Sequence, residues 1–304
     1  TSLANNVNLG GNVTIGGSNA LTLAGVVSGV GGLTKGGPAD LILNGANTYF
    51  GNTALNVGKL IVGSNTAIGS GALNAAAGTT LDTNTAVTLG NQVNLAGALN
   101  VGGSADLTLT GTVAGAGSLV KNGAANLNLN GTNTYVGGTT LNAGTVTVGN
   151  SSALGTGALT VGGAATLDSS SPLASLANAV VLNAALSAGG TQDLTLGGVV
   201  SGAGQLIKNG AANLTVNGTN TFSGGSTLNA GTLTLGSAAA LGSGGLTVGG
   251  ASTLDTSTGM SVGNNITLNA GLTLAGSNTL NLSGVIDGAG SLTKDGFGDL
   301  TLSG

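Results

Sequence analysis

Along this chain, apolar residues alternate with small polar ones in short runs that end at glycine. Leu21-Thr22-Leu23, Leu107-Thr108-Leu109 and Val146-Thr147-Val148 are representative. A period of two marks a strand with one buried face. Gly, Asn-Gly and Gly-Gly separate the runs, as turns requiring positive φ demand. No window sustains the spacing of an amphipathic helix. The pattern predicts an all-β chain of many short strands.

Self-similarity narrows the choice among sandwich, barrel and solenoid. The segment Leu206–Gly218 recurs as Leu33–Gly45, Leu119–Gly131 and Leu292–Gly304. Lys35, Lys121, Lys208 and Lys294 are spaced by 86, 87 and 86 residues, and Asp82, Asp168 and Asp255 by 86 and 87. Asn47-Thr48-Tyr49, Asn133-Thr134-Tyr135 and Asn220-Thr221-Phe222 keep the same interval. Periodicity over the whole length suits stacked units that contact only their neighbours. The expectation is a right-handed parallel β-helix (β-solenoid), the hand taken from the rule for parallel crossovers. At about 20–22 residues per coil, four coils would make one 86-residue super-repeat, and roughly fourteen coils at ~4.8 Å would span the chain. The expected organisation is a single continuous solenoid, 1–304. Its super-repeat units are 21–106, 107–193 and 194–279, with partial units 1–20 and 280–304.

Composition supports a narrow core. Glycine takes 61 of 304 positions, against an average usage of about 7%. Apolar residues make up 40%, aromatics only 2% and charged residues 5%, which excludes a disordered, highly charged chain. Collagen is excluded because glycine does not fall at every third position and proline is almost absent. A net charge of -4 without clustered bases gives no nucleic-acid footprint. No apolar run reaches the ~18 residues of a membrane-crossing helix. The lack of cysteine suits a chain that stays unfolded through an oxidising compartment.

The residues now resemble a known family. Leu119-Val-Lys-Asn-Gly-Ala-Ala-Asn-Leu-Asn-Leu-Asn-Gly-Thr-Asn-Thr-Tyr-Val-Gly-Gly-Thr-Thr-Leu-Asn-Ala-Gly-Thr-Val-Thr-Val148 resembles the passenger-associated transport repeat of autotransporter proteins. Residues 206–235 match nearly as well. Residues 33–62 match with Asn56-Val57-Gly58-Lys59 in place of the usual Asn-Ala-Gly-Thr, and 292–304 carry the first half. The resemblance implies a passenger secreted by the type V route, threaded through an outer-membrane barrel and folded outside a Gram-negative cell. No basic-then-apolar leader opens the sequence and no amphipathic strands close it, so the expectation is a passenger segment whose translocator barrel lies outside these residues.

Candidate chemistry is sparse. Strict alternation would turn Lys35 the same way as Leu33, so a corner is expected to swing the lysines outward as solvated charges; the functional alternative is a stripe of amines for an anionic partner. Asp82, Asp168 and Asp255 are read as turn aspartates bonded to their own backbone, since a calcium site needs six to eight clustered oxygens. Asp40 and Asp299 are replaced by Asn126 and Asn213 at equivalent positions, against a role that needs charge. Tyr49, Tyr135 and Phe222 are expected to pack over a solenoid corner, Phe replacing Tyr without loss, and Asn44, Asn130 and Asn217 to satisfy turn carbonyls. Asp287, Asp295 and Asp299 form a mild local excess of acid. With no His, Cys, Arg or Glu, no triad, activated thiol or imidazole–thiolate metal site can be built. No catalytic, cofactor or metal residue is assigned.

The expected function is therefore a surface-displayed or secreted rod, a passenger stalk supporting adhesion, aggregation or biofilm. One alternative is a self-assembling extracellular fibre. Another is a glycan- or ice-binding solenoid using threonine rows such as Thr145-Val146-Thr147 and Thr232-Leu233-Thr234. These lie in different long units with other coils between them, so no continuous flat threonine array is evident in the sequence.

Overall fold

The computed structural model describes residues 1–172 and 174–304. No α-helix occurs among them, and the strand pairings are parallel, coil upon coil. The expected parallel β-solenoid is borne out. The residues fall into two compact units, Thr1–Gly157 and Ala158–Gly304.

In Thr1–Gly157 one coil runs through Val87–Leu89, Val93–Leu95 and Leu99–Val101, and the next opens with Leu107–Leu109. Val87 pairs with Leu107, Val93 with Val113 and Leu99 with Leu119, so this coil takes 20 residues. Three sheets form the three sides. Each strand is short because one side of the tube accommodates only an inward–outward–inward triplet, which is the alternation seen in the sequence. The inward residues stack in columns such as Leu21, Leu41, Leu60, Leu81 and Val101. Like residues at ~4.8 Å fill a tube too narrow for many aromatics.

The 86-residue interval does not equal four coils. Lys35 lies in the column Ile15, Lys35, Leu55, Ala75, Leu95. Lys121 lies on a different sheet, between Val101 and Leu141. The super-repeat is four coils plus one strand step, so equivalent residues advance by one side of the tube.

Ala158–Gly304 follows the same rule. Lys208 lies in the column Leu167, Ala188, Lys208, Leu228, Val248, Leu268. Lys294 pairs with Leu274 on another sheet of that unit.

Each sheet break coincides with an Asn-Thr-aromatic triplet. Residues 47–49 and 67–69 form no strand, although Val27–Gly29 precedes them and Val87–Leu89 follows on the same side. In the second unit 220–222 and 240–242 leave the same two-coil gap between Val200–Gly202 and Met260–Val262.

Candidate functional site

The most distinctive local chemistry is a buried polar module at each break. It begins with the lysine. Lys35, Lys121 and Lys208 are 2%, 0% and 1% exposed, which corrects the expectation of solvated corner charges. Alternation simply continues: Leu33 and Lys35 both point inward around half-exposed Thr34. The aliphatic stem lies in the leucine column and the ammonium reaches the tube wall. There, backbone carbonyls take up its donors. Lys208 Nζ donates to the carbonyls of Asn209 (2.7 Å), Gly210 (2.6 Å) and, one coil on, Ala230 (3.2 Å). Lys121 donates to Gly123 and to Ala143 at 3.3 Å, and Lys35 to Gly37 and to Val57 at 3.0 Å. Burial lowers all three lysine pKa values, against raising fields from Asp40 at Lys35, from Asp106 and Asp82 at Lys121, and from Asp193 and Asp168 at Lys208. Lys294 is exposed and donates to Asp295 and Gly296 of its own turn.

The asparagine of the triplet replaces the missing strand ladder. Asn133 Oδ1 accepts from the Val113 amide (2.8 Å) one coil before, and its Nδ2 donates to the Ala153 carbonyl (2.6 Å) one coil after. Asn47 links Val27 and Ala67 in the same way, and Asn220 links Val200 and Ala240. All three asparagines are buried. An unpaired buried backbone group costs about 1–3 kcal/mol; here one side chain satisfies two.

The aromatic ring fills the core where the inward triplet is lost. Tyr49, Tyr135 and Phe222 are fully buried, so they occupy the tube itself and do not lie over a corner. Tyr49 Oη bonds Thr53 Oγ1 at 2.5 Å, and Tyr135 Oη bonds Thr139 Oγ1 at 2.6 Å. In the third copy Phe222 faces Ser226, whose buried Oγ has no hydrogen-bond partner. The exchange of Tyr for Phe is therefore not without loss. A glycine closes the plug: Gly155 has φ +63°, and a Cβ there would lie 2.3 Å from the Tyr135 carbonyl oxygen. Gly242, φ +65°, stands equally close to Phe222.

The repeated aspartates act on the backbone. Asp82, Asp168 and Asp255 each accept from the amide of the following residue, at 2.9, 2.8 and 2.8 Å. Two of them also bind the next coil: Asp82 accepts from Ser104 N and Oγ, and Asp168 from Gly190, Thr191 N and Thr191 Oγ1. Burial pushes the Asp82 carboxyl up, but the Ser104 and Thr83 donors and Lys59 outweigh it, leaving the pKa below the usual value. Lys59 lies 3.6 Å from Asp40, a partly exposed contact of little energy, and 3.7 Å from the buried Asp82.

Asn44 accepts from Asn84 Nδ2 at 2.9 Å, and the Asn130 carbonyl accepts from Asn150 at 3.0 Å. The ladders of paired amides lie elsewhere, as in Asn100–Asn122–Asn142. Asp287 sits in Ile286–Gly288, Asp295 caps the Gly296 amide, and Asp299 precedes Leu300–Leu302. Among the described residues no group of three His, Cys, Asp or Glu could hold a metal ion. No helix among them is long and apolar enough to cross a membrane.

The geometry defines a class: a parallel β-solenoid built on a recurrent plug of lysine, asparagine and aromatic ring. The passenger-associated transport repeat matches residues 33–62, 119–148 and 206–235, the three segments that hold those plugs. The "Adhesin BmaC autotransporter" of Brucella suis biovar 1 (strain 1330) is 55% identical over 49 residues, 15% of this chain and 1% of that protein. This chain thus spans a very small part of the curated relative it matches. No solved structure matches. The resemblance read from the residues is borne out at these three segments: each is a passenger-associated transport repeat.

Proposed function

We propose that this chain is a length of passenger stalk from a surface-displayed autotransporter adhesin of a Gram-negative bacterium, delivered by an outer-membrane barrel. One observation carries the reading: three transport repeats recur in a coil-on-coil parallel solenoid. The charged and polar groups of each module are turned toward backbone and core, which suits a part that holds shape. We read the chain as a structural element without enzymatic activity. The super-repeat units 21–106, 107–193 and 194–279, of 86, 87 and 86 residues, are the increments by which such a stalk lengthens.

Deleting 36–121 tests this, because it joins Lys35 to Asn122 just as Lys121 precedes it now. In the parent protein, reach from the cell surface should shorten by about 21 Å, the rise of four coils and one strand step, with surface display retained. Loss of a defined chemical activity, or unchanged reach, would overturn the reading.

A further inference from the structure

Five Asn-Gly dipeptides stand in this chain, at 44–45, 122–123, 130–131, 209–210 and 217–218. They are of two structural kinds. Asn44, Asn130 and Asn217 lie against a glycine of the next coil: a Cβ at Gly63, Gly149 or Gly236 would stand 2.2, 2.5 or 2.1 Å from their Oδ1 atoms. Their own glycines, Gly45, Gly131 and Gly218, are buried. These side chains are pinned and their glycines are shut from water. Asn122 and Asn209 instead follow the plug lysines Lys121 and Lys208. There Gly123 is half-exposed and Gly210 exposed.

The turn at 209–210 favours attack of the glycine nitrogen on the preceding side chain. Lys208 Nζ donates to the Asn209 carbonyl at 2.7 Å, and that carbonyl shares its amide with the Gly210 nitrogen. A charge-assisted bond there draws electron density from the amide and makes its N–H more acidic. Among the described residues Lys121 bonds Gly123 and Ala143 instead, and the Asn122 carbonyl is left out. Gly210 has φ +71°, and its amide donates to no group among the described residues. The fourth copy shows how close the reacting groups come. Lys294 binds the carbonyls of Asp295 (2.9 Å) and Gly296 (2.8 Å) as Lys208 binds those of 209 and 210, and Gly296 has φ +75°. In that turn of the same shape, Asp295 Oδ1 accepts from the Gly296 amide at 2.8 Å, so side-chain carboxyl and glycine nitrogen are in contact.

We propose that Asn209-Gly210 is a self-modifying site, which loses ammonia to become aspartate or isoaspartate and is promoted by the buried Lys208. The Gly210 nitrogen gives its proton to a solvent base and bonds to Asn209 Cγ. The Cγ–Nδ2 bond then breaks, and ammonia leaves with a proton taken back from solvent. Water opens the resulting cyclic imide at either carbonyl. The sequence of steps is redox-neutral and its co-reactant is water, which reaches the exposed Gly210. The turn accepts the aspartate product, as Asp295 shows. Asn229 Nδ2, which donates to Asn209 Oδ1 at 2.8 Å, keeps its acceptor. The new carboxylate also brings counter-charge to an ammonium that is bonded to neutral carbonyls. The inference goes beyond the stalk reading, which stands or falls independently by the deletion above.

The test is peptide mapping by mass spectrometry of the purified chain aged in mildly alkaline buffer, both folded and in urea. In the folded chain Asn209 should convert severalfold faster than Asn122, and Asn44, Asn130 and Asn217 more slowly than either. In urea Asn209 and Asn122 should convert at one rate, because the same Lys-Asn-Gly-Ala-Ala-Asn-Leu surrounds both. Lys208→Met should bring folded Asn209 down to the rate of Asn122 and leave Asn217 unchanged. If that variant fails to fold, the ratio of Asn209 to Asn122 in the native chain, folded against unfolded, decides alone. Folded Asn209 converting no faster than Asn122, the same ratio persisting in urea, or a folded Lys208→Met chain converting at the native rate would overturn it.

Discussion

The plug at 119–148 and the plug at 206–235 are nearly the same in sequence, yet they differ at the centre. Around Tyr135 the ring hydroxyl and Thr139 bond to each other in the dry interior. Around Phe222 the ring has no hydroxyl and Ser226 Oγ is left alone. The asparagine bridges are the same in the two, and both lysines reach a carbonyl one coil on, Lys208 adding a bond to Asn209. The comparison separates two duties of the module. Bridging coils across a broken sheet is performed identically in both copies, whereas filling the tube tolerates an unsatisfied hydroxyl.

The largest expected effect attacks what the two copies share. Asn133→Ala and Asn220→Ala each orphan one buried amide and one buried carbonyl, a loss of about 2–6 kcal/mol at 1–3 per group. Because stacked coils depend on their neighbours, hydrogen exchange should accelerate in the coils on either side, equally for both variants. Unequal losses would show that the bridging duty differs after all.

Alkaline pH should split the copies. Burial raises the Tyr49 pKa to about 12, partly offset by its bond to Thr53, and burial raises that of Tyr135 as well. An unfolded tyrosine ionises near pH 10. Above that pH the native state keeps a proton that the unfolded state has lost, so stability falls as pH rises, by about 1.4 kcal/mol per pH unit for each such tyrosine. The lysines act oppositely. Their lowered pKa values mean that stability rises with pH just below 10.5 and levels off above, in both copies alike. Hydrogen exchange compared at about pH 9 and pH 11, corrected for intrinsic rate, should show Tyr135 surroundings weakening against Phe222 surroundings. Tyr135→Phe should remove the difference.

The smallest effect comes from transplanting the centre. Phe222→Tyr with Ser226→Thr should stabilise the third plug by about 1 kcal/mol, the net worth of one buried hydrogen bond. Urea unfolding followed by circular dichroism would detect it. A destabilised double variant would mean that the tube around Phe222 has no room for the added hydroxyl and methyl.

Much of this was legible beforehand because stacking reuses one local solution many times. Period-two triplets announced strands such as Leu107–Leu109, and glycine at the interruptions announced coils. The plug's lysines were misread for an instructive reason. Alternation by itself pointed Lys35 inward, but the expense of burying an ammonium argued for the surface. What resolves the conflict is the Val57 carbonyl, a coil away and 22 residues on. Asn47, Asn133 and Asn220 were noticed only as parts of a repeating triplet, because their partners lie 20 residues to either side.

By itself, then, the amino-acid order determined the all-strand character, the parallel stacking and the recurrence of one polar module. Those properties follow from local alternation, turn chemistry and self-similarity. Only the tertiary structure decided which side of the tube each residue occupies. A coil of 20 residues and a repeat of 86 are out of step by one strand, and that mismatch carries successive modules around the axis.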